Sequence, residues 1–248
     1  MLVENKFIYI SLPRCASTAF MASCMKQNLD MKHYNSIYNI NNQLVDINNR
    51  LINNGYDSEN LINFDGKFAH AHESIRLLKE KFGYYYDVIS VRRNKYERFI
   101  SLWKHVLKKF YEYDLNTFNK LSKFTMDEIL SYETSDLRSE ETIKDVVEIF
   151  IKKNKLNVDK KTKTMLKILI TPYSNWHNHD SNIIWFDFNQ LDKLEEWVSN
   201  KLNMNFKLIN LNSSNHFDSK LILNDEFKEK YDSIYLPYDE IKSVKTLF

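Results

Sequence analysis

Apolar positions along the chain alternate between short continuous runs and stretches of helical period. Phe7–Leu12 is an apolar run closed by Pro13, after which Met21, Met25 and Leu29 recur at i, i+4 and i+8; this predicts a strand and then a helix near Ser17–Leu29. Lys67–His70 predicts a second strand, followed by a helix over Glu73–Phe82 that Gly83 is placed to end. Tyr86–Val91 is β-branched and apolar enough for a buried parallel strand, and Lys95–Tyr111 sets Phe99, Leu102, Val106 and Phe110 on one helical stripe. Strand, helix, strand, helix implies a parallel sheet with right-handed crossovers.

The remaining pattern is weaker. Gln43–Ile52 predicts a short helix inside an Asn-rich stretch, ahead of a turn at Asn54-Gly55. Thr125 to Glu128 is a capping-box pattern, and Ile143, Val146, Val147, Phe150 and Ile151 form the next amphipathic face. Ile183–Phe188 predicts another buried strand, and Leu191 to Trp197 opens an amphipathic helix.

Composition narrows the class without naming a function. The 248 residues suffice for one sizeable α/β domain, and no Pro/Gly/Ser-rich linker divides them. A formal charge of +2, with no arginine-rich arm, argues against a dedicated nucleic-acid binder. The two cysteines, Cys15 and Cys24, read as reduced thiols of an intracellular protein. With no leader sequence and no apolar run of about 18 residues, the expectation is a cytoplasmic chain that spans no membrane.

The junction from Phe7 to Phe20 carries the first candidate chemistry. A strand stops at Pro13, passes Arg14 and enters a helix at Ser17-Thr18, where first-turn N–H groups can meet an anion. The loop contains no glycine and no Lys-Ser/Thr pair in Walker order, so it is no ordinary nucleoside-triphosphate loop. Pro13, Arg14, Ala16, Ser17 and Thr18 instead resemble the 5′-phosphosulfate loop of sulfotransferases that use 3′-phosphoadenosine 5′-phosphosulfate (PAPS); Ala16 stands where that family often has Gly. After the Tyr86–Val91 strand, Arg93, Asn94, Arg98 and Ser101 fall in register on the family's 3′-phosphate signature, with Lys95 where Pro is usual. Arg93 is a forked cation at a strand end and Ser101 lies about two helical turns further on, so guanidinium and hydroxyl can converge on one dianion.

Between these loops, Phe68 to Glu73 resembles the His-Gly-His element of uronyl and heparan 2-O-sulfotransferases, in which a histidine is the base. Further on, Leu211 to Asn215 resembles a loop that folds over the nucleotide in carbohydrate sulfotransferases.

The resemblance implies one domain over residues 1–248. It implies a three-layer α/β/α fold with a mainly parallel central sheet, of the P-loop-like sulfotransferase type, with residues 112–182 as a helical region shaping the acceptor pocket. It implies PAPS as donor, no metal, and a hydroxyl acceptor, a carbohydrate being favoured by the His-x-His element. The donor would be held by Arg14, Cys15, Ala16, Ser17, Thr18, Arg93, Ser101, Asn212 and Ser214. His72, or His70 in a shifted register, would take the acceptor's proton, with Glu73 as the alternative base. Arg14 holds its proton too tightly for acid catalysis and would act by charge. Arg92 competes with Arg93 for the 3′-phosphate, and Arg98 has a structural reading beside its motif one. Two other functions fit the same loops: a nucleotide or small-molecule kinase with a degenerate phosphate loop, and a non-catalytic nucleotide-binding protein of this fold.

Two further features have bland readings. Lys152, Lys153, Lys155, Lys160, Lys161, Lys163 and Lys167 read as a solvated helical surface rather than a glycan site. His177-Asn178-His179-Asp180 reads as a polar loop rather than a zinc site.

Overall fold

A computed structural model describes residues 1–33, 40–53, 55–57, 61–63, 73–110, 147–149, 151–171, 174–177, 180 and 182–211, with short stretches between 223 and 232. Its centre is a five-stranded sheet of order β3-β1-β2-β4-β5, made of β1 (Leu2–Val3), β2 (Phe7–Ile10), β3 (Met31–Lys32), β4 (Asp87–Arg92) and β5 (Ile183–Asp187). β2, β4 and β5 are mutually parallel, while β1 pairs antiparallel with both β2 and β3. The hairpin from β1 to β2 turns through Glu4 (φ 49°) and Asn5 (φ 51°), both left-handed, and the Lys6 N–H donates to the Val3 carbonyl at 2.8 Å, a type I′ turn. The sheet is mixed α/β, as the alternating pattern implies. The expected strand at Lys67–His70 lies outside the described residues.

The described helices are α1 (Ser17–Lys26), α2 (Ile40–Asn53), α3 (Ile75–Phe82), α4 (Lys95–Phe110), α5 (Lys160–Ile170), α6 (Ser174–His177) and α7 (Leu191–Leu202). Their ends follow capping chemistry. α1 stops three residues short of the expected Leu29, because Asn28 (φ 53°) takes the left-handed conformation. The Leu29 and Asn28 amides then donate back to the Cys24 and Met25 carbonyls at 2.9 and 3.0 Å, a Schellman closure. Gly55 (φ 79°) and Tyr56 close α2 in the same way onto Ile52 and Leu51. At α3, the Ser74 hydroxyl accepts from the Leu77 amide at 3.5 Å, so the helix begins two residues after the expected Glu73. The Thr125 capping-box pattern lies outside the described residues.

Side chains on β2 alternate between two buried faces. Phe7 and Tyr9 meet the aromatic rings of Phe20 on α1 and Trp197 on α7: Tyr9 stacks on Phe20 at 4.0 Å and Phe7 meets Trp197 edge-on at 5.2 Å. Ile8 and Ile10, on the opposite face, are equally inaccessible to solvent, so the sheet is covered on both sides. The chain after α7 is tied back by the Ile209 amide, which donates to the Ser23 hydroxyl on α1 at 2.7 Å.

The described residues form two compact units, one of residues 1–93 with 176–211, holding the sheet, and the other of residues 94–175 with 223–232. In the second unit α4 packs on α5 with Phe99, Leu102, Trp103 and Leu166 buried, and Phe99 meets Tyr231 edge-on at 6.1 Å. No helix among the described residues is long and apolar enough to cross a membrane.

Two expectations follow from this packing. Ser23→Ala strands the buried Ile209 amide and is expected to lower stability by about 1–3 kcal/mol, read as a lower urea midpoint at unchanged slope. His33 is buried and neither ring nitrogen has a hydrogen-bond partner; burial first, then the Met1 ammonium and Lys81, push its pKa down to about 3. The unfolded chain binds that proton near the ordinary value, so the stability is present above about pH 6.5 and is lost progressively as pH falls towards 3. Urea midpoints measured across that window should fall less steeply in His33→Phe than in the unaltered chain.

Candidate functional site

β2 and β4 run side by side in the same direction, with Phe7 opposite Asp87 and Ile10 opposite Ser90, so the loops leaving them start at one edge of the sheet. Ligands of open α/β sheets bind beyond that carboxyl edge. The first loop puts two residues without the freedom of glycine into the left-handed region, Arg14 (φ 63°) and Ala16 (φ 58°). Each such residue costs about 1–2 kcal/mol. Three contacts hold the loop: the Cys15 amide donates to the Leu12 carbonyl at 3.3 Å, the Cys15 thiol to the Pro13 carbonyl at 3.6 Å, and the Tyr9 hydroxyl to the Cys15 carbonyl at 3.4 Å. Ala16 is the N-cap of α1 and brings no capping oxygen; Ser17 behind it is buried and Thr18 half-buried. Left-handed residues feeding a helix start turn backbone amides towards a common concavity suited to an anion.

Charge converges on the same loop. The Arg14 guanidinium is half-buried, and its pKa is pulled down from 12.5 to about 10, first by burial and then by Arg50 and Arg93, with Cys15 opposing. Three guanidiniums from three parts of the chain thus share one neighbourhood. Arg93, the first residue beyond β4, lies over the ring of Phe188 with its guanidinium carbon 4.4 Å from the centroid. Arg92, one position earlier, points the other way and pairs through Nε and Nη2 with Asp187 on β5, at 2.5 and 3.3 Å. The cross-strand carboxylate thus occupies Arg92, while the charge of Arg93 is one of those that act on Arg14.

The rest of the 3′-phosphate pattern lies in the second unit. The Asn94 side chain accepts from the Tyr96 and Glu97 amides at 3.0 and 3.4 Å, which makes it the N-cap of α4. Lys95 is the first helical residue, a position that tolerates Pro because its amide needs no helical partner. Arg98, 1% exposed, donates through both terminal nitrogens to the Thr171 carbonyl at 3.3 Å, just beyond the C-terminus of α5. Ser101 is buried on α4.

His70, His72, Asn212 and Ser214 lie outside the described residues. Glu73 is buried and acts on the Met1 ammonium. His177 packs edge-on against Trp185 at 5.6 Å and Asp180 is ion-paired with Lys79; among the described residues no group of His, Cys, Asp and Glu side chains is arranged to hold a metal ion. Lys152, Lys153, Lys155 and Lys160 are exposed, and Lys163 pairs with Glu148 at 3.0 Å, the solvated surface expected of that tract.

No family model, curated protein or solved structure matches this chain. The functional assignment therefore has to come from the loops, the sheet edge and the charges themselves.

Sequence reasoning missed Arg50. It belongs to no motif, and its one sequence signal is position: it borders the apolar pair Ile47 and Leu51 on an otherwise Asn-rich helix. Phe188, the platform under Arg93, was seen only as a strand end.

Burial of the charged Arg14 guanidinium, and after it the charges of Arg50 and Arg93, destabilise the ligand-free protein at every pH below about 10, a cost relieved as pH rises through that value. Arg14→Asn removes the charge while tolerating the left-handed backbone, so it is expected to raise ligand-free stability at pH 7 by about 1 kcal/mol after solvent screening. The difference from the unaltered chain in urea unfolding should shrink above pH 10.

Proposed function

We propose that the chain is a sulfotransferase that moves the sulfuryl group of PAPS to an acceptor hydroxyl, a carbohydrate being favoured by the His-x-His element. The observation that carries this reading is that Arg14 and Arg93 follow the carboxyl ends of two neighbouring parallel strands, Arg14 in the loop that enters α1. A donor with an anhydride at its 5′ end and a phosphate at its 3′ end needs two cationic sites held at fixed separation. A glycine-free loop with arginine in place of a Walker lysine supports this donor over a nucleoside triphosphate.

In the proposed reaction the acceptor oxygen forms a bond to sulfur as the bond from sulfur to the bridging oxygen breaks. The electron pair stays on the 5′-phosphate, leaving adenosine 3′,5′-bisphosphate, and the acceptor proton passes to His72 or His70. The amides of Ser17 and Thr18 and the Arg14 guanidinium stabilise the charge that grows on the departing phosphate. Arg14 stays protonated throughout, since even its lowered pKa of about 10 lies far above neutral. Arg93 takes the 3′-phosphate; stacking on Phe188 restricts the Arg93 guanidinium before ligand arrives.

Melting curves with adenosine 3′,5′-bisphosphate, with ATP–Mg²⁺ and with neither test the reading. Bisphosphate at about 100 times its Kd should add about 2.7 kcal/mol, a rise of several degrees, and ATP–Mg²⁺ should add little. Arg93→Gln should weaken bisphosphate binding by about 10-fold or more, whereas His72→Ala should leave binding intact and slow transfer by about 10²–10⁴-fold. A shift with ATP–Mg²⁺ alone would sink the assignment in favour of a kinase.

A further inference from the structure

Arg14 and Ala16 are both left-handed, at φ 63° and 58°, and one residue, Cys15, lies between them. Backbone of that kind persists where surrounding contacts over-determine it. Of the three bonds described at Cys15, two close within the loop, amide to the Leu12 carbonyl and thiol to the Pro13 carbonyl, and travel with it. The third crosses to the sheet: the Tyr9 hydroxyl donates to the Cys15 carbonyl at 3.4 Å. Tyr9 is itself fixed, paired with Ile89 on β4 and wholly buried. Its ring lies flat on that of Phe20, centroids 4.0 Å apart and planes 7° from parallel, and the Phe20 amide donates to the Ala16 carbonyl at 2.9 Å. One side chain therefore holds the peptide before Ala16 through its hydroxyl and the helical turn after it through its ring.

We infer that Tyr9 is a positioning residue for the anion loop: buried in the core and touching no ligand, it holds Cys15 and Ala16 in the geometry in which the α1 amides and Arg14 meet an anion. This rests on the anion site proposed at the loop, and on the sulfotransferase reading only for which anion is taken. The hydroxyl is the informative group. Phe20, on which Tyr9 stacks, lies 5.5 Å from Phe206, and an aromatic layer of this kind packs without any oxygen. A buried hydroxyl needs a hydrogen-bond partner, and the one it meets is a carbonyl between two left-handed residues. Burial first, and then the charges of Cys15 and Cys24, push the Tyr9 pKa well above its ordinary value, so the group stays a donor at neutral pH. Apparent affinity scales with the fraction of molecules in the binding-competent conformation, so a support that keeps the loop in that conformation strengthens binding without a contact of its own.

Tyr9→Phe in the full chain removes the hydroxyl and keeps the stacked ring. Cys15 and Cys24 are both wholly buried and neither is in a disulfide, so alkylation by iodoacetamide, scored at each by mass spectrometry, reports opening of the loop at Cys15 and opening of the fold at Cys24. The variant is expected to alkylate about 5–10-fold faster at Cys15 with Cys24 unchanged within about twofold, and to bind adenosine 3′,5′-bisphosphate and inorganic pyrophosphate about 3–10-fold more weakly. Ser90→Ala is the control: it removes another buried hydroxyl bond, to the Ile10 carbonyl at 2.9 Å on the same strand, and should leave the ratio of the two alkylation rates and both affinities within about twofold. Equal acceleration at both cysteines in Tyr9→Phe, unchanged affinities, the same losses in Ser90→Ala, or no binding of either anion to the unaltered chain would overturn the positioning role. Pyrophosphate binding that depends on the Tyr9 hydroxyl, without bisphosphate binding, would uphold that role and overturn the sulfotransferase reading.

Discussion

The parallel pairing of β2 with β4 is the constraint on which the rest depends. Four consecutive residues, Phe7 to Ile10, are wholly buried along it, and the Ser90 hydroxyl adds a bond to the Ile10 carbonyl at 2.9 Å. Burial of each large apolar side chain contributes about 1.5–3 kcal/mol, so the strand pair outweighs the few kcal/mol that left-handed residues and like charges cost at its end. Strands that run the same way end on the same edge. The loops that carry Arg14 and Arg93 therefore leave the sheet at the same edge, an arrangement set by hydrophobic packing several residues away.

Elsewhere the chain obeys the local rules with little tension. Ser74 and Asn94 cap their helices, Asn28 and Gly55 close theirs, and the hairpin at Glu4-Asn5 uses the turn that suits twisted strands. One loop combines several costs: left-handed backbone at Arg14 and Ala16, an N-cap without an oxygen, and a guanidinium that is largely buried and acted on by the charges of two others. Such a combination at one sheet edge fits the anion site proposed there, whose ligand would contribute part of the stabilisation.

Several features of this site were legible in the residues before any coordinates. The Pro13–Thr18 junction, the strand before Arg93 and the helix after Lys95 follow from period and punctuation, because those signals act over a few residues. The 3′-phosphate pattern reads differently once folded: Asn94 is a cap, Lys95 sits where Pro is tolerated, and Arg98 is taken up by the Thr171 carbonyl, so much of that pattern describes how a helix starts and packs. Arg92 pairs with Asp187, a residue almost a hundred positions away whose register against it no local pattern reveals.

By itself, then, the sequence determined the segments that form β2, β4 and β5 and the helices α1 to α4 and α7, each to within a few residues, and that an arginine-bearing loop opens onto a helix start. Those properties depend on side-chain period, capping residues and backbone preference, all of which act between near neighbours. Only the tertiary structure decided that Arg50 joins Arg14 and Arg93, that Asp187 takes Arg92, and that Phe188 lies beneath Arg93. Coulombic and stacking interactions depend on distance through space, and that distance was set by strand order.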